Sequence, residues 1–298
     1  MNIVIKVDNE TKDKMIEYYK DKLRDKTPPY AVFQAEEEDT IITLYESGKC
    51  MFQGTSADVD ANMWSAVIEN DKPTEIKHEI YYSNSIGSDE VGTGDYFGPI
   101  VVTASYVKKE DISFLENLKV KDSKKLTDDD IRKIVPQFIY KIKYKSIILN
   151  NTEYNQKYSK EVNMNKIKAI MHNKVLTSLK SEIKEPLNYI IIDEFAKEKN
   201  YYNYLSDVTN PLKGITFLTK AEDKNLAVAC SSLISRFVFL KEFDKLSDEL
   251  KIPLPKGSGS NVDKIGEEIV DKYGKDKLRA IAKLNFSNTK KILKTLIF

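Results

Sequence analysis

The chain has 298 residues, of which 41% are hydrophobic and 31% charged, with a net charge of +1 at pH 7. That length allows one large domain or two unequal ones with an apolar core. Two cysteines, Cys50 and Cys230, exclude a disulfide framework and a Cys/His zinc module. No segment approaches the roughly 18 apolar residues of a membrane helix, and the start of the chain does not resemble a signal peptide. We therefore expect a cytoplasmic protein with no membrane partner.

The predicted elements of residues 1–70 form a small α+β domain. Residues 2–7 alternate like a strand, and residues 11–23 are predicted to form a helix. The apolar face of that helix contains Met15, Ile16, Tyr19 and Leu23. Strands follow at 30–35, 40–46 and 49–54, with a hairpin turn at 46–49, and then a helix at 56–68. The acidic run at 36–39 is predicted to be a solvated turn.

A polar, proline-containing segment at residues 71–80 is interpreted as a linker. Longer elements fill residues 81–298, the second predicted domain. Its strands are predicted at 83–90, 99–107, 143–149, 187–193 and 214–219, and its helices at 127–139, 165–183, 225–240, 262–273 and from 276 into the 280s. Early strands followed by alternating strands and helices predict an α/β fold with a mixed sheet covered by helices.

Charge is distributed unequally between the two predicted domains. Residues 1–70 contain eight basic and 14 acidic residues, whereas the remainder contains 39 basic and 32 acidic residues. A mildly basic surface favours binding to phosphates. The excess is too small to identify a nucleic-acid-binding protein by itself.

Two acidic residues, Asp89 and Glu90, end a predicted strand that is otherwise neutral, and Gly92, Gly94 and Gly98 follow. Adjacent side chains on a strand point to opposite faces of the sheet. We expect the two acids to converge because the strand ends there and the glycines permit the backbone to bend.

Further acids follow two later predicted strands. Asp193 ends the apolar run 189–192, which is typical of a buried strand, and Glu222 and Asp223 follow the strand at 214–219. Ligands of open α/β sheets bind outside the carboxyl ends of strands, and such carboxylates suit Mg²⁺. Solvated turns and the favourable start of a helix remain alternative interpretations of these acids.

The glycine-rich segment has a second interpretation, because Gly92, Gly94 and Gly98 approximate a dinucleotide-binding fingerprint. The spacing differs by one residue, and a predicted strand follows where such a site requires a helix. The pattern therefore argues against dinucleotide binding, and we expect no small-molecule cofactor.

The segment GSDEVGTGDYFGPIVVTA, residues 87–104, resembles the signature of the ribonuclease HIII family, a branch of the type 2 ribonucleases H. The triplet Gly92-Thr93-Gly94 resembles that of the ribonuclease HIII family and distinguishes it from the sister ribonucleases HII, which typically have Gly-Arg-Gly at this place. Residues 1–70 also resemble the family's TATA-box-binding-protein-like domain. Other similar segments occur in the same order, at 120–127, 163–169, 192–193, 221–222 and 231–236.

This resemblance implies a ribonuclease H-like mixed five-stranded sheet flanked by helices, and hydrolysis of the RNA strand of RNA–DNA hybrids. The implied products carry 5′-phosphate and 3′-hydroxyl ends, and the implied cofactor is two Mg²⁺ or Mn²⁺ ions. Four residues would be both metal ligands and catalytic groups: Asp89, Glu90, Asp193 and Glu222. Glu194 is a neighbouring acid, and Asp223 remains an alternative fourth ligand.

The resemblance also implies substrate contacts. The backbone of Gly92, Thr93 and Gly94 would contact the 2′-hydroxyl that distinguishes RNA from DNA. Phosphate binding would involve Ser123, Lys124 and Lys125. His172 is expected to pack or form hydrogen bonds rather than act in catalysis. We expect a monomer.

Three alternatives stay open. The acidic N-terminal domain is expected to grip the hybrid, although a protein–protein role or packing against the catalytic domain is an alternative. The whole chain is alternatively a metal-dependent DNA nuclease or strand-transfer enzyme of the same fold. It is also alternatively a non-catalytic nucleic-acid-binding module, which the presence of all four acids disfavours.

Overall fold

The computed structural model describes residues 2–37, 39–71, 79–120 and 126–295. The chain divides into two compact units, Met1–Lys77 and His78–Phe298. Most of the predicted linker at 71–80 lies outside the described residues, so the predicted domain limits stay a prediction.

The first unit packs two helices on a four-stranded antiparallel sheet of order β1-β4-β3-β2. Its buried core includes Met15, Phe33, Phe52 and Trp64, and the indole Nε1 of Trp64 donates to the hydroxyl of Tyr19 at 2.9 Å. The elements are β1 (Asn2–Lys6), α1 (Asn9–Tyr19), β2 (Ala31–Glu37), β3 (Thr40–Tyr45), β4 (Lys49–Gly54) and α2 (Ala57–Asp71).

Two predictions for this unit are wrong in detail. Helix α1 ends at Tyr19, so Leu23 leaves its apolar face and forms an isolated bridge with Ala35. Leu23 and Ile16 are 53% and 42% exposed. The predicted solvated turn also begins too early: Glu36 and Glu37 lie in β2, where they form ion pairs with Arg24 and Lys22.

The second unit is built on a mixed five-stranded sheet of order β7-β6-β5-β8-β9. Strands β5, β6 and β7 are antiparallel neighbours, whereas β8 runs parallel to β5 and β9 parallel to β8. The strands are β5 (Ser85–Val91), β6 (Ile100–Val107), β7 (Lys143–Leu149), β8 (Tyr189–Asp193) and β9 (Thr216–Leu218). The predicted α/β class with a mixed sheet is confirmed.

Helices cover both faces of this sheet. They are α3 (Ile112–Asn117), α4 (Asp128–Phe138), α5 (Asn151–Lys157), α6 (Met164–Glu182), α7 (Glu198–Tyr204), α8 (Leu226–Leu250), α9 (Ser260–Tyr273), α10 (Lys275–Ile281) and α11 (Ser287–Thr295). Short 3₁₀ turns occupy Lys109–Asp111 and Ala221–Asp223. Among the described residues, no helix combines the length and apolar composition needed to cross a membrane.

The long helices α6 and α8 pack on opposite faces of the central strands because the side chains of β5 and β6 alternate. Ile86, Val102 and Ala104 contribute to the core beneath α6, while Val101 and Val107 contribute to the core beneath α8. On β5, Gly87 has no side chain where the backbone of α8 passes: a Cβ there would lie 2.3 Å from the amide nitrogen of Val228. This close approach fixes α8 against the strand that carries Asp89 and Glu90.

Candidate active site

Asp89 and Glu90 both lie within β5, which continues to Val91 before the chain turns at Gly92. The predicted strand end at Glu90 is therefore one residue too early, and the convergence of the two acids on one site stays a prediction. The side chain of Ser232, on α8, lies close enough to Asp89 to lower the pKa of that carboxyl, whereas the Glu90 carboxylate contacts α6. The pleat of the strand thus directs the two carboxylates toward helices on opposite faces.

Glu90 is held by two side chains that lie one turn apart on α6. Lys168 Nζ lies 2.7 Å from Glu90 Oε1, and His172 Nε2 lies 2.9 Å from Glu90 Oε2. The other ring nitrogen of His172 is 2.8 Å from the hydroxyl of Ser88, two residues earlier on the same face of β5. Residues four apart on a helix share a face, so both contacts reach one carboxylate.

The two acids have opposite electrostatic environments. Burial and then the neighbouring Glu90 charge raise the pKa of Asp89 well above its usual range. Burial also acts on Glu90, but the hydrogen bond and charge of His172, with the charge of Lys168, outweigh it and lower the Glu90 pKa. Glu90 is therefore ionised, whereas burial and the neighbouring negative charges favour the protonated form of Asp89.

Asp193 is the last residue of β8, as the sequence predicts. Parallel β5 and β8 pair Ser88 with Ile192, so Asp89 and Asp193 follow at corresponding positions on neighbouring strands. The negative charge of Asp193 contributes to the raised pKa of Asp89. Its adjacent acid, Glu194, instead forms a surface ion pair with Lys197 at 2.6 Å.

Glu222 is held in the 3₁₀ turn Ala221–Asp223, beyond β9 and before α8. The turn is linked to β8 because the Ala221 amide donates to Asp193 Oδ1 at 2.8 Å. Glu222 is 5% exposed, whereas its neighbour Asp223 is exposed. Asn225 caps α8, so the two acids precede that helix and start the short 3₁₀ turn instead.

The donor chemistry of this region fits a hard divalent cation. Asp89, Glu90, Asp193 and Glu222 supply carboxylate oxygens, the ligands that Mg²⁺ and similar ions prefer. The raised Asp89 pKa has burial as its main cause, followed by the charge of Glu90 and, to a smaller extent, that of Asp193. Within the described part of the chain, no three His, Cys, Asp or Glu side chains lie close enough together to coordinate one metal ion as they stand. Glu90 is engaged with Lys168 and His172 instead.

The chain after β5 turns at a glycine that no other residue replaces without strain. Gly92 has φ +89°, and a Cβ there would lie 2.2 Å from the carbonyl oxygen of Pro99. Gly94 is different: it is exposed, and a Cβ there would meet no heavy atom within 4 Å. Strand β6 follows this segment, in agreement with the inference against a dinucleotide-binding helix.

The other predicted substrate residues, Ser123, Lys124 and Lys125, lie outside the described residues. Beside Glu90 the structure has a cavity of about 230 Å³, whose wall includes Asp128, Ser232 and Arg236. Arg236 Nε donates to Asp128 Oδ1 at 3.0 Å. A basic side chain therefore borders the region next to Glu90.

Sequence reasoning missed Lys168 as a partner of Glu90. His172 was expected to pack or to form hydrogen bonds, and it does both, since it also stacks on Phe195 with ring centroids 5.2 Å apart. The four-residue spacing of Lys168 and His172 on a predicted helix was a signal that both side chains share a face. Nothing in the sequence indicated that this face meets Glu90.

Comparisons with known proteins give a consistent result. The family model described as Ribonuclease HII matches residues 86–289, and a model described as Domain of unknown function (DUF3378) matches residues 2–77. Ribonuclease HIII of Bacillus cereus strain ATCC 14579 is 39% identical over 308 residues, covering 99% of each chain. Ribonuclease HIII of Bacillus mycoides strain KBAB4 is also 39% identical, over 307 residues, and covers 99% of this chain and 98% of its own.

A solved structure of Bst-RNase HIII in complex with Mn²⁺ is 38% identical, with a TM-score of 0.73, and covers 100% of this chain and 99% of its own. The RNase H3 structure of Aquifex aeolicus is 23% identical with a TM-score of 0.57 and covers 96% of this chain and 100% of its own, so it shows similarity of fold alone.

Proposed function

This chain belongs to the ribonuclease HIII family, and on that premise we propose that it cuts the RNA strand of RNA–DNA hybrids at a site formed by Asp89, Glu90, Asp193 and Glu222. Family membership makes it an endoribonuclease of the ribonuclease H type that uses a divalent metal. The metal-ligand roles of these four residues, the use of two ions and the choice between Mg²⁺ and Mn²⁺ are the proposed part.

One observation carries the proposal: Asp89 and Asp193 follow paired residues on the adjacent parallel strands β5 and β8. The bond from the Ala221 amide to Asp193 attaches the turn that carries Glu222 to the same strand end. These connections support a site in which three acids from distant parts of the chain serve the carboxyl end of the parallel strands, where α/β sheets bind ligands.

Divalent ions bound there would supply an activated water for in-line attack and stabilise the departing 3′-oxygen, which gives 5′-phosphate and 3′-hydroxyl products. The protein's own side chains would hold the ions and orient the ligands. Asp89, Asp193 and Glu222 would provide oxygen ligands on buried elements, and Glu90 would do so from its contacts on α6. His172, in contact with Ser88 and Glu90, restricts the orientation of the Glu90 carboxylate.

Recognition of RNA is proposed to depend on the turn after β5. Gly92, Thr93 and Gly94 would bring backbone groups to a 2′-hydroxyl, because a glycine at an open position such as Gly94 allows a ribose to approach the main chain. Ser123, Lys124 and Lys125 would bind phosphates, and the N-terminal unit would hold the hybrid.

The test is cleavage of a labelled RNA–DNA hybrid beside matched DNA and RNA duplexes, with Mg²⁺, with Mn²⁺ and with a chelator. We expect the RNA strand of the hybrid alone to be cut, in a metal-dependent manner. Equal cutting of the DNA duplex would favour the DNA-nuclease alternative. Binding of the hybrid without any cutting would favour a non-catalytic module.

A further inference from the structure

The contact between Lys168 and Glu90 is a nearly buried ion pair within the site. Only 10% of the Lys168 side chain and 12% of the Glu90 side chain are exposed. The ammonium also lies over the ring of Phe195, 4.0 Å from its centroid. A buried charge is costly unless it is paired, so each of these two groups compensates the other.

The two side chains that contact Glu90 differ in how firmly their positions are fixed. His172 is fully buried, stacked on Phe195 and hydrogen-bonded to Ser88, so its position is fixed by three neighbours. Lys168 reaches Glu90 at the end of a flexible four-carbon chain that carries a point charge. The ammonium therefore occupies a position beside Oε1 that another cation would also favour.

We propose that Lys168 is an exchangeable counter-cation of Glu90: its ammonium balances the carboxylate in the metal-free enzyme and gives up Oε1 to an incoming divalent ion, while His172 keeps the carboxylate oriented. Lys168 is thus a positioning residue that sets metal affinity. This inference rests on the proposed role of Glu90 as a metal ligand.

The expected consequence for affinity follows from charge. A cation bound at Glu90 must displace the Lys168 ammonium and is then repelled by it while it stays nearby. Lys168→Met keeps the length of the side chain and removes its charge. We expect Mn²⁺ to bind this full-length variant about fivefold more tightly, or more, than the wild type in calorimetric titration without nucleic acid.

Lys174→Met is the matched control, because Lys174 is exposed on the same helix. It removes an equal charge and is expected to leave Mn²⁺ affinity unchanged. Lys168→Arg restores a charge and is expected to restore affinity close to that of the wild type. Unchanged or weaker Mn²⁺ binding by a folded Lys168→Met variant would overturn the proposal.

A second measurement uses the wild-type protein and so does not depend on the folding of any variant. Reductive methylation of lysines, followed by mass spectrometry, reports the accessibility of each ammonium. Lys168 is expected to react slowly without metal and faster with saturating Mn²⁺, whereas Lys174 reacts equally in both. Equal protection of Lys168 in both states would show that it is not displaced.

Glu90→Gln separates this inference from the proposed function. If Glu90→Gln lost Mn²⁺ binding while Lys168→Met bound Mn²⁺ with unchanged affinity, only the counter-cation role of Lys168 would be contradicted. Wild-type Mn²⁺ affinity in Glu90→Gln would overturn the proposed ligand role of Glu90, and the inference with it.

Discussion

At the scale of single residues, Asp193 and Glu222 each have an acidic neighbour in the chain, and the structure separates the members of each pair. Asp193 ends β8 and accepts the Ala221 amide, whereas Glu194 pairs with Lys197 at the surface. Glu222 is buried in its 3₁₀ turn and Asp223 is exposed. The two inward residues are the expected metal ligands.

Asp193→Asn and Glu222→Gln are each expected to reduce kcat on an RNA–DNA hybrid by about 100-fold or more, because a lost carboxylate weakens the hold on the metal. The neighbouring changes Glu194→Gln and Asp223→Asn serve as matched controls and are expected to stay within about threefold of the wild type. Steady-state cleavage with Mg²⁺ measures all four. A large loss in Asp223→Asn with little loss in Glu222→Gln would reverse the assignment of the fourth ligand.

Gly92 and Gly94 are expected to respond differently to the same change. Gly92→Ala forces a side chain into a left-handed conformation and against the Pro99 carbonyl, so it should lower the free energy of unfolding by about 1–3 kcal/mol or more. Gly94→Ala meets no heavy atom within 4 Å and should leave stability within about 0.5 kcal/mol.

Gly94→Ala should nevertheless raise KM for the hybrid, because its methyl group would stand where a ribose is proposed to approach the main chain. Urea unfolding and steady-state kinetics on the same samples make the comparison. Unchanged KM in Gly94→Ala would remove Gly94 from the proposed recognition of RNA.

At the scale of elements, the segment after the glycine turn is tied to the C-terminal part of the chain. Phe97 forms a bridge with Ala282. The fully buried ammonium of Lys283 donates to the carbonyl oxygens of Asp95 at 2.7 Å and Gly98 at 2.6 Å. The loop proposed to recognise RNA therefore depends on a residue almost 200 positions later in the chain.

Burial lowers the pKa of Lys283 to about 7 from 10.5, against the opposing charge of Asp95. The unfolded chain then binds more protons than the folded protein between about pH 7 and 10.5. Stability contributed by this group therefore rises with pH across that window and is lost as pH falls through the folded pKa.

The test compares the free energy of unfolding of the wild type and Lys283→Met at pH 6.5 and pH 9, values on either side of about 7. The free energy of unfolding of the wild type, relative to that of the variant, should be larger at the higher pH. Lys275→Met, an exposed change nearby, should show no such difference between the two pH values. If the free energy of unfolding of the wild type fell relative to that of Lys283→Met as pH rises, the lowered pKa of Lys283 would be contradicted.

The accuracy of the sequence-based prediction differs between strands, long helices and short helices. All five strands of the second unit are predicted within about two residues of their observed limits. Several helices were not predicted, and they are short: Ile112–Asn117, Asn151–Lys157, Glu198–Tyr204 and Ser287–Thr295. A helix of two turns contains too few residues to display a 3.6-residue period, and tertiary contacts decide whether it forms.

At the scale of the whole molecule, each of the two units has its own buried core. The first unit is acidic in sequence, so its proposed grip on the hybrid cannot depend on net charge alone. Removal of residues 1–77 is expected to raise KM for the hybrid while kcat at saturation stays within about threefold of the full chain, since the acids all lie in the second unit.

Kinetics on residues 78–298, with a circular dichroism check that this part is folded, measure the effect. An unchanged KM would favour the alternative protein–protein role for the first unit. A fall in kcat with no change in KM would indicate that this unit supports the catalytic unit instead.

Periodicity and short motifs predicted the order of the strands and longer helices and the mixed sheet, and the family resemblance indicated the candidate acids, because such patterns are local properties of the chain. The sequence did not determine what each acid contacts. Glu90 and Lys168 are 78 residues apart, and their meeting depends on which face of α6 packs on β5. The end of β5 also depends on tertiary structure: pairing with β6 extends the strand to Val91, beyond both acids, and only the assembled sheet fixes that register.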